Sequence, residues 1–201
     1  MTRNVRILGI CGSLRAGSYN HGLLSALAEE APAGVTVDLL GDWSGAPNLN
    51  VDLLDAGRPP AVVQEIAERV RAADGLVIAS PEYCNSIPGA LKNLLDWLSF
   101  PPPRSCLRFK PVGLVGASIG TGGTARGQTA LRNSLLFFDT MLMGRPEVLV
   151  ASSAVKFDEQ GNLKDEEVRA LLRRFLADFT EFTSSTLDRG LDPRDREFLF
   201  S

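Results

Sequence analysis

Residues 5–20, VRILGICGSLRAGSYN, decide how the rest of this chain is to be read. Val5, Ile7, Leu8 and Ile10 form a β-favouring apolar run, Gly12 breaks it, and a helical pattern begins near Asn20. The stretch is a strand, a loop and a helix start. Its loop brings the hydroxyls of Ser13 and Ser18, the guanidinium of Arg15 and the carboxamide of Asn20 beside the orphan N–H groups of a helix N-terminus. An anion seated there gains hydrogen bonds and a favourable dipole, so the loop suits a dianionic phosphate, with Arg15 as a charge-assisted partner. The two common phosphate fingerprints are absent. Cys11 stands where the second glycine of GxGxxG belongs, and no Lys-Ser or Lys-Thr pair marks a P-loop. A plainer role competes, in which Ser18 or Asn20 caps the helix and Arg15 is solvated.

Outward from this unit the pattern repeats. Leu23, Leu24, Leu27, Ala28 and Ala31 keep helical spacing until Pro32 and Gly34, and Val35, Val37, Leu39 and Leu40 read as a second strand. Residues 41–60, rich in Gly, Pro, Asn and Asp, form a long surface loop of the kind that commonly carries function. A second helix spans 61–73, and GLVIAS at 75–80 is a strand buried on both faces. A third helix carries Ala90, Leu91, Leu94, Leu95 and Leu98, a fourth strand spans 112–117, and a fourth helix spans 125–138. A fifth strand lies at 147–151 and a last helix at about 164–182, its start loaded with Asp165, Glu166 and Glu167. This alternation predicts an α/β fold: a single doubly wound, five-stranded parallel sheet with right-handed crossovers. It forms one domain over residues 1–186, followed by a tail at 187–201, whose Phe198, Leu199 and Phe200 either end loosely or dock on a neighbouring subunit.

Composition excludes several classes of function. The 201 residues are 44% hydrophobic and 22% charged with a net charge of -3, ordinary for a globular protein and without a field to gather nucleic acid or an anionic membrane. Cys11, Cys84 and Cys106 are odd in number and widely spaced, and His21 is the only histidine, so neither a disulfide framework nor a metal site is expected. The first apolar run is too short for a signal peptide and no later run could span a bilayer, which makes the cytoplasm the expected compartment.

In a doubly wound sheet the loops leaving strands one, three and four share one edge, where ligands bind. Here they are the three most unusual stretches. The second, Pro81, Glu82, Tyr83, Cys84, Asn85, Ser86, Ile87, Pro88 and Gly89, sets an aromatic ring and amides between two prolines. The third, residues 118–123 with Ser118, Gly120 and Gly123, lets backbone approach a flat ligand. Singly, Tyr83 reads as a loop anchor, Glu82 as a solvated charge or ion-pair partner and the glycines as turn formers. Together, a phosphate nest, a ring and close backbone imply a mononucleotide.

The chain also resembles the NAD(P)H-dependent FMN reductases of flavodoxin-like fold, a family that includes quinone, azo-dye and chromate reductases. The resemblance rests on GSLRAGSYN at 12–20, PEYCNSIPGALKNLLDWLS at 81–99 and ASIGTGGTARGQTALR at 117–132, and continues through PEV at 146–148 and FDEQGNL at 157–163. It implies a sheet in the order 2-1-3-4-5 and an enzyme that binds FMN and uses NADPH or NADH as co-substrate. Ser13, Arg15, Ser18 and Asn20 would hold the FMN phosphate, Pro81, Glu82, Tyr83 and Ser86 would border the flavin, and Ser118, Gly120 and Gly123 would approach its ring. The family usually has Asn where this chain has Cys84, with Asn85 one place later, and often Pro where this chain has Ile119. A thiol is a weaker donor than an amide, and nothing clearly electropositive in sequence activates it.

With the flavin carrying the chemistry, no catalytic acid or base is required. The expected reaction is a ping-pong shuttle from NAD(P)H through the flavin to a quinone or similar small acceptor, by a homodimer or homotetramer. Trp97 or Phe100 serves either such a contact or the core. Two other readings share the fold: a flavodoxin-type electron carrier, and a binding module without FMN.

Overall fold

The computed structural model describes residues 4–100 and 105–190. In chain order its elements are β1 (Val5–Cys11), α1 (Tyr19–Glu29), β2 (Val35–Leu39), α2 (Ala61–Ala72), β3 (Gly75–Ala79), α3 (Gly89–Leu98), β4 (Pro111–Ala117), α4 (Ala125–Leu136), β5 (Met141–Leu142), β6 (Val148–Val150) and α5 (Glu166–Asp188). Every strand pairing is parallel, in the order β2-β1-β3-β4-β5, the order the resemblance implied. The fifth position is divided rather than continuous. Met141 and Leu142 pair with Pro111 and Val112, while Val148, Leu149 and Val150 pair with Val115, Gly116 and Ala117. The strand expected at 147–151 is β6; two residues of β5 are too few to show a periodicity.

The apolar patterns explain the layers. Every residue of β3 and of β4 is buried, as continuous hydrophobic runs require, whereas β2, at the sheet edge, alternates partly buried with exposed positions. Neighbouring β1 residues feed opposite cores. Ile7 joins Leu23, Leu27, Phe175 and Phe179 on the face covered by α1 and α5, and Leu8 joins Ile66, Val70, Leu94 and Leu131 on the face covered by α2, α3 and α4. Each such side chain contributes about 1.5–3 kcal/mol through burial. Gly113 has a steric reason to sit in mid-strand: a Cβ there would lie 2.7 Å from the Phe175 ring, so its absence lets α5 settle onto the sheet.

The long loop after β2 is fastened from beneath. The Trp97 indole N–H donates to the Pro47 carbonyl at 2.6 Å, Asn93 donates to the same carbonyl and accepts from the Leu49 N–H, and Trp43 donates to the Cys11 carbonyl. Trp97 is fully buried, so of its two readings the core role holds. Helix α5 continues through Leu187, which is buried, to Asp188; the tail residues Phe198, Leu199 and Phe200 lie outside the described residues. Among the described residues no helix is long and apolar enough to cross a membrane.

Candidate functional site

Three hydrogen bonds line up the loops that leave the carboxyl edge of the sheet. Gly12 N–H donates to Ala79 O (2.8 Å), Ser80 N–H to Val115 O (3.1 Å) and Ser118 N–H to Val150 O (2.9 Å), so the ladder runs one residue past each strand before the chains part. The loops after β1, β3 and β4 therefore emerge side by side.

In the first loop, Ser18 is the N-cap of α1, its Oγ accepting the Asn20 N–H at 3.2 Å, and the Ser13 Oγ takes the Arg15 N–H at 3.4 Å. Arg15 is exposed, with its guanidinium 5.6 Å from the centre of the Tyr19 ring. No acidic residue occupies the first turn of α1. A cation beside the positive pole of a helix is the reverse of what the dipole favours, and an external anion resolves it. Asn20 has a different use. Its buried carboxamide donates to Ala117 O and accepts from Ala117 N–H, both at 2.9 Å, which ties the first loop to the end of β4. With its oxygen and one of its two amide N–H groups this side chain serves as a brace, alongside the phosphate role expected for it.

The second loop is a two-residue hairpin turn. Tyr83 and Ser86 exchange N–H to carbonyl bonds of 3.0 and 2.9 Å, and between them Cys84 and Asn85 both lie in the left-handed region, at φ 51° and 60°. Asparagine tolerates that region far better than cysteine, which gives the departure at Cys84 a conformational meaning. Its thiol is exposed and Tyr83 is half exposed. Glu82 is neither solvated nor free: its Oε2 accepts the N–H groups of Arg126 and Gly127, both at 2.9 Å, and so caps α4 from another loop. The Arg126 guanidinium lies 3.6 Å from the other Glu82 oxygen and donates to Asn85 Oδ1 at 3.3 Å. Gly127 permits this closeness, since a Cβ there would stand 3.2 Å from Glu82 Cβ and from Ser86 O. Pro81 accepts a hydrogen bond from the Ser80 hydroxyl.

The third loop is stitched to the segment after β6. Ser118 Oγ accepts the Gly120 N–H, Ser118 O accepts both the N–H and hydroxyl of Ser153, and Gly120 O accepts the Ser152 N–H. Gly123 takes φ 59° and packs against Leu149. Ile119 is strongly exposed at the tip. Sequence reasoning missed residues 152–164 as site neighbours; the FDEQGNL signature was the available signal, though it carried no position in space.

Arg15 stands between two cavities. One, of about 430 Å³, is bounded by Ser13, Leu14, His21, Asp42 and Trp43; the other, of about 680 Å³, by Gly17, Tyr19, Phe157, Gln160 and Lys164. Burial raises the Cys11 thiol, partly offset by hydrogen bonding at Ser13 and Ser18, and burial pushes Cys106 up to about 11, so neither is a ready nucleophile. Among the described residues no group of three His, Cys, Asp or Glu side chains could hold a metal ion.

What the arrangement offers is an anion seat with an exposed guanidinium, next to two loops that present a ring, hydroxyls and close backbone. A phosphate ester carrying a flat ring fits that donor set.

The model of the NADPH-dependent FMN reductase family matches residues 5–154. The chain is 43% identical over 176 residues to the NAD(P)H-dependent FMN reductase PA1204 of Pseudomonas aeruginosa, covering 88% of this chain and 94% of that protein. It is 38% identical over 183 residues to the quinone reductase of Escherichia coli K12, covering 90% and 97%. Among solved structures, the flavoenzyme NAD(P)H:(acceptor) oxidoreductase FerB of Paracoccus denitrificans superposes with a TM-score of 0.81 at 31% identity, covering 90% of this chain and 98% of that one.

Proposed function

We infer from one premise, that this chain belongs to the NADPH-dependent FMN reductase family, that it is an FMN-dependent NAD(P)H oxidoreductase delivering electrons to a quinone or a similar small acceptor. The observation that carries the reading is the first turn of α1, where an exposed Arg15 and the absence of any acid leave a positive pole for an external dianion. When bound, the flavin supplies the hydride chemistry. The chain supplies seating, orientation and access.

Arg15, Ser13, Ser18 and the amides of the first helical turn hold the phosphate. Tyr83, Cys84, Ser86 and Pro81 form one border of the ring pocket, and Ser118, Gly120 and Gly123 the other. Within that set, Glu82, Asn85 and Asn20 act as braces that keep the loops in register. The opening between the loops takes a nicotinamide first and, after its departure, the flat acceptor, a double displacement at one shared surface. The protein acts in the cytoplasm as a homodimer or homotetramer, for which the exposed Leu136 and Phe137 at the end of α4 offer apolar contact surface. Light scattering on the purified protein reads that state.

The test is the visible spectrum of freshly purified protein before and after anaerobic NADPH, followed by NADPH consumption with a soluble quinone at several concentrations of each. A bound flavin spectrum bleached by NADPH and parallel initial-rate lines are expected. A colourless protein that takes up no FMN rejects the reading; intersecting lines reject the shared surface.

A further inference from the structure

An arginine offered to a ligand from an exposed loop carries rotamer freedom that binding must remove, unless the fold has already set its direction. Among the described residues the Arg15 guanidinium makes no ion pair. It lies instead 5.6 Å from the centre of the Tyr19 ring, within cation–π range, and folds back over Gly17, where a Cβ would stand 3.1 Å from its Nη1. The bare Cα of Gly17 leaves that space open.

Tyr19 is itself held. It is the first residue of α1, where helical geometry turns side chains back toward the preceding loop, and its half-buried ring packs 5.0 Å from that of Phe157. Phe157 is buried and fixed from two sides. It bridges Leu163 across the turn at 158–162, and it meets α1 at Gly22, where a Cβ would lie 3.2 Å from its ring and 2.0 Å from the Gly161 carbonyl oxygen. Order therefore passes outward, from a buried ring to a half-buried ring to an exposed cation. The ring has a competitor for that cation, since Asp158 and Glu159 border the same cavity as Arg15. The Asp158 carboxylate already accepts the N–H groups of Gln160 and Asn162, which leaves the exposed Glu159 to draw an unheld guanidinium away from the helix start.

We propose that Tyr19 is a positioning residue of the phosphate seat: its ring, set by Phe157, holds the Arg15 guanidinium beside the first turn of α1 before FMN arrives. This rests on the reading that the first loop seats the FMN phosphate. The gain lies in ordering the cation beforehand, so Tyr19 acts on FMN affinity and acts only through Arg15.

FMN titration of the full chain, read by quenching of flavin fluorescence and run as a double-mutant cycle, tests the role. Tyr19→Leu should weaken FMN binding about fourfold, and Tyr19→Phe should keep it because the ring face remains. Once Arg15→Ala has removed the cation, Tyr19→Leu should add nothing. Phe157→Leu loosens the same ring from behind; it should weaken FMN about twofold, again only while Arg15 is present, and it carries the test if Tyr19→Leu does not fold. Unchanged affinity in the Tyr19→Leu and Phe157→Leu variants, an equal loss with and without Arg15, or Tyr19→Phe as damaging as Tyr19→Leu overturns the proposal. Failure of the parent reading looks different: an Arg15→Ala variant that keeps its FMN affinity retires the phosphate seat itself. A clear loss in Arg15→Ala with none in Tyr19→Leu keeps the seat and removes Tyr19 from it.

Discussion

Helices α1 and α5 lie on the same face of the sheet, yet their amino-terminal turns are built in opposite ways. The start of α5 answers its own dipole: Asp165 caps it by accepting the Val168 N–H at 3.0 Å, and Glu166 and Glu167 fill its first turn. The start of α1 has a neutral cap, no acid and an exposed arginine. Between these extremes stands α4, which has no acid in its own first turn and borrows Glu82 from another loop. A helix start that brings its own anion is finished on folding, and one that borrows an anion becomes a clamp. One that presents a cation instead leaves its positive pole unanswered within the chain, which is the basis of the phosphate seat proposed above.

Charge reversal at the ligand-seeking end should have the largest effect. Arg15→Glu would supply the acid α1 lacks and repel the phosphate, and FMN affinity, followed by flavin fluorescence quenching, should fall about 100-fold with little loss of thermal stability. If affinity is unchanged, the contrast between α1 and α5 has no functional meaning. Removing the borrowed acid comes next. Glu82→Ala would orphan two amides of α4 and release the hairpin turn, costing about 2 kcal/mol in urea denaturation. At the self-sufficient end, Asp165→Ala should cost about 1 kcal/mol and leave FMN affinity alone. A loss of flavin there would blur the distinction between the two helices.

The smallest effect concerns the other end of α1. Glu29 and Glu30 sit at its negative pole and are compensated from α5, where Arg169 reaches both and Arg173 reaches Glu30, at 3.0 Å in each case. Arg173, then Arg169, hold the Glu30 carboxyl below its ordinary value of 4.5. A carboxyl lowered on folding contributes its stability fully above the unfolded value and loses it as pH falls through the folded one. The melting temperature should therefore decline below about pH 4.5, less steeply in Glu30→Gln than in the parent protein.

The layered fold was legible because its signal is local. GLVIA and VGLVGA are continuous apolar runs and both are wholly buried, and the alternation in VTVDL marks an edge strand. The interrupted fifth position was not legible, since Met141 and Leu142 pair only through their placement beside β4. The candidate site divides in the same manner. The sequence pattern pointed to three loops at one edge, but it could not separate side chains that face a ligand from those that hold the loops. Asn20 and Glu82 both read as ligand-facing groups, and each also bonds main chain far away in the sequence.

By itself, then, the order of residues determined which segments are strands, which are helices and which faces are buried, because hydrophobic periodicity acts between near neighbours in the chain. Only the tertiary structure decided the partners of the polar side chains. Asn20 meets Ala117 across 97 residues and Glu82 meets Arg126 across 44, and a donor or acceptor carries no mark of which distant group folding will bring within 3 Å of it.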